Sequence, residues 1–236
     1  MRKPFLYIYT TLSNLIIYPY TLFCAVLVLL FARLKLQKAV RWILHFWAQS
    51  IFLIIGKNFK ITGLGNINKD KKYLLMANHG SLFDIMGIMS ICPSIAWFGR
   101  AHLLKVPVFG KLLQAINYIP MKSSDLKNTK LMIEKLVKNT ENQTVAIFPE
   151  GTRTLNGEIN TFRKGFLHVL KASKLEILPI SLIGFYEFKP KNRYYFDYSK
   201  RLSAKIHSPI PYSEVENLND KEIIQIVKTI IESPLS

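Results

Sequence analysis

Between Phe5 and Ala32 the chain carries no charged residue. As one helix this run extends roughly 42 Å, more than the roughly 30 Å hydrocarbon core of a bilayer requires. It is too long for the core of a signal peptide, and no small-residue cleavage site follows it. Pro19, between Tyr18 and Tyr20, divides the run, and a central proline permits a kink and a re-entrant hairpin that dips into one leaflet. Arg2 and Lys3 precede the run and Arg33, Lys35, Lys38 and Arg41 follow it, so charge leaves both topologies open. Read as spanning, the heavier downstream side is cytoplasmic, and in either topology the rest of the chain stays on that face. A second apolar stretch, residues 42–55, is too short to cross and carries Trp42 and Trp47, which suits a helix at the interface or packed on the first.

From Gly56 the pattern changes to short apolar runs bounded by polar residues and glycines, and the boundary of a globular unit is placed here, with residues 1–56 as membrane-anchoring helices and 57–236 as the folded domain. Residues 73–77, 95–98, 118–121, 144–148 and 177–183 read as strands, and residues 166–172 and 221–231 as helices. Lysines outside an apolar stripe predict another amphipathic helix at 126–138. Alternation at 194–198 and 202–206 predicts a late hairpin.

Charge changes the picture. With 32 Lys and Arg against 15 Asp and Glu, the 236 residues carry a formal charge of +17, which favours polyanionic partners: anionic lipid, phosphate-bearing cofactors or nucleic acid. Mean hydropathy is +0.17, high for a freely soluble enzyme. Cys24 and Cys92 stand in unrelated contexts, so neither a disulfide framework nor a zinc site is expected, and a reducing compartment is inferred. No basic recognition motif supports a membrane-anchored nucleic-acid-binding module, the reading from a different class.

Two short stretches hold candidate chemistry. The first, Asn78-His79-Gly80-Ser81-Leu82-Phe83-Asp84, leaves the strand at 73–77. On one continuous helix His79 and Asp84 would lie about 140° apart, so they meet only if His79 sits in the turn and Asp84 in the first helical turn. Ser81-x-x-Asp84 also resembles a capping box, with Ser81 at the N-cap. Spacing alone leaves a helix cap and a catalytic pair both open. A carboxylate on one imidazole nitrogen fixes the tautomer and raises the basicity of the other, which can then take a proton from an alcohol. The second stretch, Phe148-Pro149-Glu150-Gly151-Thr152-Arg153, ends the strand at 144–148 and offers a guanidinium and backbone N–H groups to a phosphate. Arg163 and Lys164 add two cations just beyond, and a plain surface turn with an Arg–Glu pair is the alternative.

Together these stretches resemble the glycerolipid acyltransferase family, in particular the 1-acylglycerol-3-phosphate acyltransferases. Four blocks occur in family order over roughly residues 60–190: His79 and Asp84; Arg100, Leu103 and Gly110; Glu150 to Arg153 with Phe162, Lys164 and Gly165; and Ile177 to Ile180 with Pro179. The second block departs from the family in having Arg100 where lysine is usual, and Ser123 with Lys122 where an arginine closes it.

The resemblance implies an α/β fold, a mixed central sheet flanked by helices behind the N-terminal membrane-attached segment. It implies acyl transfer to a lysophospholipid, with His79 as base and Asp84 orienting it. No covalent acyl-enzyme, metal or tightly bound cofactor is expected, and acyl-CoA or acyl carrier protein serves as co-substrate. Glu150, Gly151, Thr152 and Arg153 are the implied substrate-binding residues, with Arg100, Lys105 and Lys164 beside them and the oxyanion sought at backbone N–H groups around Gly80 or Gly151. Lyso-ornithine lipid, another lysophospholipid and glycerol 3-phosphate are the alternative acceptors. The location implied is the cytoplasmic face of a membrane.

Overall fold

The computed structural model describes residues 3–121 and 143–235. Its centre is a seven-stranded sheet in the order β1-β7-β6-β2-β5-β3-β4. The strands are β1 (Phe59–Thr62), β2 (Tyr73–Ala77), β3 (Ile95–Arg100), β4 (Ile119–Met121), β5 (Thr144–Ile147), β6 (Glu176–Ile183) and β7 (Leu202–Ile206). Every neighbouring pair is parallel except β6 with β7, so the sheet is mixed.

Helices cover both faces, which is why β2 is buried at all five positions and reads as a continuous apolar run. Its side chains alternate between two cores. Tyr73, Leu75 and Ala77 join the cluster under α2 (Gln37–Ile54) and α3 (Phe83–Ile91). Leu74 and Met76 join the opposite one, with Phe166 and Leu170 of α5 (Gly165–Ser173) and Ile223, Val227 and Ile231 of α8 (Asp220–Glu232). Asn219 and Glu222 close a reciprocal capping box that starts α8. The remaining helices are α4 (Phe109–Ala115), α6 (Phe185–Phe188) and α7 (Tyr212–Val215).

Because β2, β3, β5 and β6 run the same way, their C-terminal ends share one edge of the sheet. The register Met76 to Ile147 sets the segment after β2 beside the segment after β5. The two motif stretches are neighbours for that reason. Ligands of parallel sheets commonly bind at this edge.

α1 (Lys3–Arg33) is one unbroken helix of 31 residues that runs through Pro19. The hairpin that Pro19 permits does not form at that residue: the chain reverses after Arg33, with Lys35 at φ 58°, and α2 packs back on α1. A proline inside a helix removes one N–H and bends the axis without having to reverse the chain. Leu6, Thr10, Ile17, Cys24 and Val28 form the buried stripe of α1. Outside it, Phe5, Ile8, Leu12, Leu15, Ile16, Leu22, Phe23 and Val26 are exposed. A helix this long and apolar can cross a membrane by length and composition.

The late hairpin is also corrected. Residues 194–198 form no strand, and β7 pairs instead with β6 and β1. The aromatic residues there serve α1: Tyr194 stacks on Tyr7 with ring centroids 5.9 Å apart, Phe196 N–H donates to Thr10 Oγ1 at 2.8 Å, and Tyr198 shares a 2.8 Å hydrogen bond with Ser13. Alternating aromatics fit a pleated sheet or a helix groove equally well, and here the apolar helix supplied the partner. The helix expected at 126–138 lies outside the described residues, as do Lys122 and Ser123.

Replacing Leu15 and Phe23 together with glutamate should release the protein from anionic lipid vesicles in a flotation assay. Its unfolding free energy should change by no more than about 0.5 kcal/mol per site, since neither residue packs on the core.

Candidate active site

The segment leaving β2 is ordered by its own side chains. Asp84 is fully buried in the first turn of α3, and its Oδ2 accepts three hydrogen bonds: from Gly80 N–H at 2.7 Å, from Ser81 N–H at 2.7 Å and from His79 Nδ1 at 2.8 Å. The first two draw the turn around the carboxylate and the third sets the imidazole tautomer, with Nδ1 as the donor. Nε2 has no hydrogen-bond partner among the described residues. The ring lies flat on Phe148, centroids 4.0 Å apart and planes 8° apart, and Phe148 in turn stacks on Trp97 at 5.3 Å. The imidazole is therefore fixed in rotation and in plane.

The expected capping box is half formed. Ser81 N–H reaches Asp84, but α3 begins at Phe83 with Leu82 at its N-cap and no side-chain cap. The Ser81 oxygen accepts from Phe83 N–H at 3.3 Å, and its hydroxyl donates to Lys189 O at 2.7 Å. The second bond ties the turn to the chain after β6.

The segment leaving β5 grips the backbone of His79 on both sides. His79 N–H donates to Glu150 Oε1 at 2.6 Å, and Thr154 N–H donates to His79 O at 2.9 Å. The other Glu150 oxygen accepts from Asn160 N–H at 2.8 Å. Burial pushes the Glu150 carboxyl above the usual glutamate range, against the lowering effect of the Asn160 and His79 backbone N–H groups and of the His79 charge. Its ionised form thus costs the native state stability at neutral pH relative to the protonated form. It is the form that can accept both N–H groups.

Next to His79 opens a cavity of about 1100 Å³ whose wall is mainly apolar, with Cys24 and Ala25 of α1, Trp47 of α2, Met89 of α3 and Leu113 of α4 among its residues. Its cations are Arg100, Lys105 and Arg163. Gly151, at φ 67°, makes room for Arg163: a Cβ there would stand 2.7 Å from Arg163 Cδ.

The sequence profile of the acyltransferase family matches residues 58–183. The chain belongs to the acyltransferase family. It is 26% identical over 205 residues to the chloroplastic 1-acyl-sn-glycerol-3-phosphate acyltransferase BAT2 of Brassica napus, a match covering 86% of this chain and 59% of that protein. It is 28% identical over 187 residues to the 1-acyl-sn-glycerol-3-phosphate acyltransferase of Borreliella burgdorferi, covering 75% of this chain and 73% of that one. The chain spans between about half and three fifths of the length of the plant relatives it matches. In fold it is similar to the crystal structure of the 1-acyl-sn-glycerophosphate acyltransferase PlsC from Thermotoga maritima, with a TM-score of 0.82, 24% identity and coverage of 99% of this chain and 96% of that one.

Within this member of the acyltransferase family the expected site residues fall into separate places. His79, Gly151, Arg100 and Lys105 line the cavity, and Asp84 and Glu150 are buried behind His79. Thr152 and Arg153 follow Glu150 in the same loop, half-buried, and are absent from the cavity wall. Arg153 is close enough to Lys189 that, after burial, its charge helps to lower the Lys189 pKa, with Arg193 adding to the effect. Lys164 is exposed and pairs with Asp220 at 3.5 Å. Arg163, one residue earlier, takes the place in the wall.

The N–H groups of Gly80 and Gly151 are both committed, to Asp84 Oδ2 and to Phe148 O at 3.0 Å, so neither is free for an oxyanion. The sequence reading also passed over Asn78, whose amide holds both Leu182 N–H and Leu182 O, and Thr154. Asn78 adjoins the histidine in sequence, but its partner lies a strand away and carries no motif.

Glu150→Gln leaves an NH2 group facing a backbone N–H donor. It should destabilise the fold by about 1–3 kcal/mol in chemical denaturation, and the His79 imidazole resonances should shift although the ring itself is unaltered.

Proposed function

We propose that the protein transfers a fatty acyl group from an acyl thioester, acyl-CoA or acyl carrier protein, to the sn-2 hydroxyl of 1-acyl-glycerol 3-phosphate, giving phosphatidic acid. The observation that carries the reading is the His79–Asp84 pair, 2.8 Å apart, set in the wall of a large apolar cavity. The names of the relatives point to the same acceptor.

In this scheme Nε2 of His79 takes the hydroxyl proton while the hydroxyl oxygen attacks the thioester carbonyl. Asp84 holds the tautomer and balances the imidazolium that forms. The tetrahedral intermediate collapses by breaking the C–S bond, and the leaving thiolate takes the proton back from His79. The substrate's own hydroxyl is the nucleophile, so no acyl-enzyme forms and Ser81, buried and bonded to Lys189 O, stays outside the chemistry. Such base catalysis contributes about 10²–10⁴ in rate.

The acyl chain occupies the apolar cavity, with Arg100, Lys105 and Arg163 supplying positive charge to the thioester and its phosphate-bearing carrier. Arg153 takes the acceptor phosphate on the other side of His79, supported by Gly151 and Thr152, while Glu150 acts by fixing the base rather than by touching substrate. Lys164, paired with Asp220, is left out. Residues 1–56 hold the site at the membrane, on the cytoplasmic side, and residues 57–236 carry the reaction; no metal or tightly held cofactor takes part. The wall that α1 lends to the cavity supports this arrangement, because an acyl chain entering there passes directly from the lipid phase.

His79→Ala should lower acylation of lysophosphatidate by about a thousandfold in a radiolabelled transfer assay, with circular dichroism and vesicle attachment unchanged. Activity within tenfold of the native protein would remove the base from the scheme.

A further inference from the structure

Tyr186 belongs to none of the four sequence blocks, yet it bridges two of them. It lies in α6, the single turn that follows β6. The chain from the end of β6 through that turn is fixed to the segment leaving β2 at three places. The Asn78 side chain donates to Leu182 O at 2.9 Å and accepts from Leu182 N–H at 2.7 Å. The Ser81 hydroxyl donates to Lys189 O at 2.7 Å. Gly80, beside His79, is so close to the turn that a Cβ there would come 2.9 Å from Tyr186 Cβ.

From this fixed base the side chain crosses to the loop that carries Arg153. Its hydroxyl donates to Leu155 O at 2.8 Å, and its ring lies on Gly157, where a Cβ would stand 2.9 Å from Cδ1 and 3.0 Å from Cε1. Gly157 is at φ 94° as well, so both its backbone and its contact with the ring call for glycine. The same loop is bound on its near side by Thr154 N–H to His79 O at 2.9 Å. Arg153 thus immediately precedes two ties of its loop, Thr154 to the backbone of His79 and Leu155 to Tyr186.

We infer that Tyr186 is a positioning residue that sets the span between the His79 imidazole and the Arg153 guanidinium, and through it the fit of a phosphomonoester acceptor. The inference rests on the proposed reading of Arg153 as the phosphate ligand. In that acceptor the reacting hydroxyl and the phosphate are on neighbouring carbons, so the distance between them is nearly fixed. A loop displaced by about 1 Å would therefore lose part of the phosphate contact whenever the hydroxyl reaches the base, which weakens productive binding of the acceptor. The tyrosine ring sets how far the loop stands from Gly80, and the hydroxyl stops it sliding. Tyr186 is not part of the cavity wall, so the donor side does not depend on it.

The test is steady-state kinetics of the full-length protein in mixed micelles, varying lysophosphatidate and acyl-CoA separately, for the native chain, Tyr186→Phe, Tyr186→Leu and Tyr186→Ala. Tyr186→Ala should raise the acceptor KM by about tenfold with the donor KM unchanged. Tyr186→Phe keeps the ring and loses one hydrogen bond, so its acceptor KM should rise by about threefold, with Tyr186→Leu between the two. If the alanine variant does not fold, the Phe and Leu variants carry the comparison. An acceptor KM that stays at the native value in the variants, or both KM values rising together, overturns the inference while leaving the proposed function standing. A native chain that does not acylate lysophosphatidate sinks that reading, and the inference with it.

Discussion

The peptide of His79 is the constraint on which the site depends. Its N–H is held by Glu150 and its carbonyl by Thr154, so both ends are tied to the segment leaving β5, while its ring is held by Asp84 from the segment's own helix. Backbone and side chain are thus restrained from different directions, and neither can shift without breaking a buried hydrogen bond. The arrangement exists because β2 and β5 pair in parallel with Met76 opposite Ile147. Had the register slipped by one residue, the Glu150 carboxylate and the His79 N–H would no longer face each other.

Asp84 is organised for this one partner. Its three hydrogen bonds fall on Oδ2, and Oδ1 is buried without a partner among the described residues. Two of the three donors are backbone N–H groups of the turn, so the carboxylate shapes the loop and orients the ring by the same contacts. A buried carboxylate is costly when unpaired, and its three hydrogen bonds offset much of that cost. The flat stack of His79 on Phe148, with Trp97 behind it, then leaves Nε2 as the ring nitrogen without a partner among the described residues.

Positive charge is divided rather than pooled. Arg100, Lys105 and Arg163 line the cavity, whereas Arg153 is grouped with Lys189 and Arg193. In the proposed reaction the two cationic groups would serve two phosphate-bearing molecules, and the apolar wall between α1 and the sheet would take the acyl chain. The aromatic segment 194–198 contributes by seating α1 along the domain, which keeps Cys24 and Ala25 in the cavity wall.

Much of this was legible in the chain. The charge-free run from Phe5 to Ala32 and the buried strands follow from local pattern, because helix and strand periods are written in neighbouring residues, while the pairing of His79 with Asp84 was legible through the family resemblance rather than through spacing. Three things were not legible. Ser81 was legible as a local acceptor at the start of α3, but not the bond its hydroxyl also donates to Lys189 O across the fold; Arg163 and Lys164 were indistinguishable as cations until Asp220 claimed one and Gly151 made room for the other; and residues 194–198 alternated like a strand but met a helix. Each of these turns on which distant group reaches an atom first, and no local rule ranks such partners. The sequence by itself determined most of the buried strands, the apolar N-terminal run and the motif that holds His79 and Asp84, while the tertiary structure alone decided that Glu150 and Thr154 hold the backbone of His79, because that depends on the register of two strands some seventy residues apart in the chain.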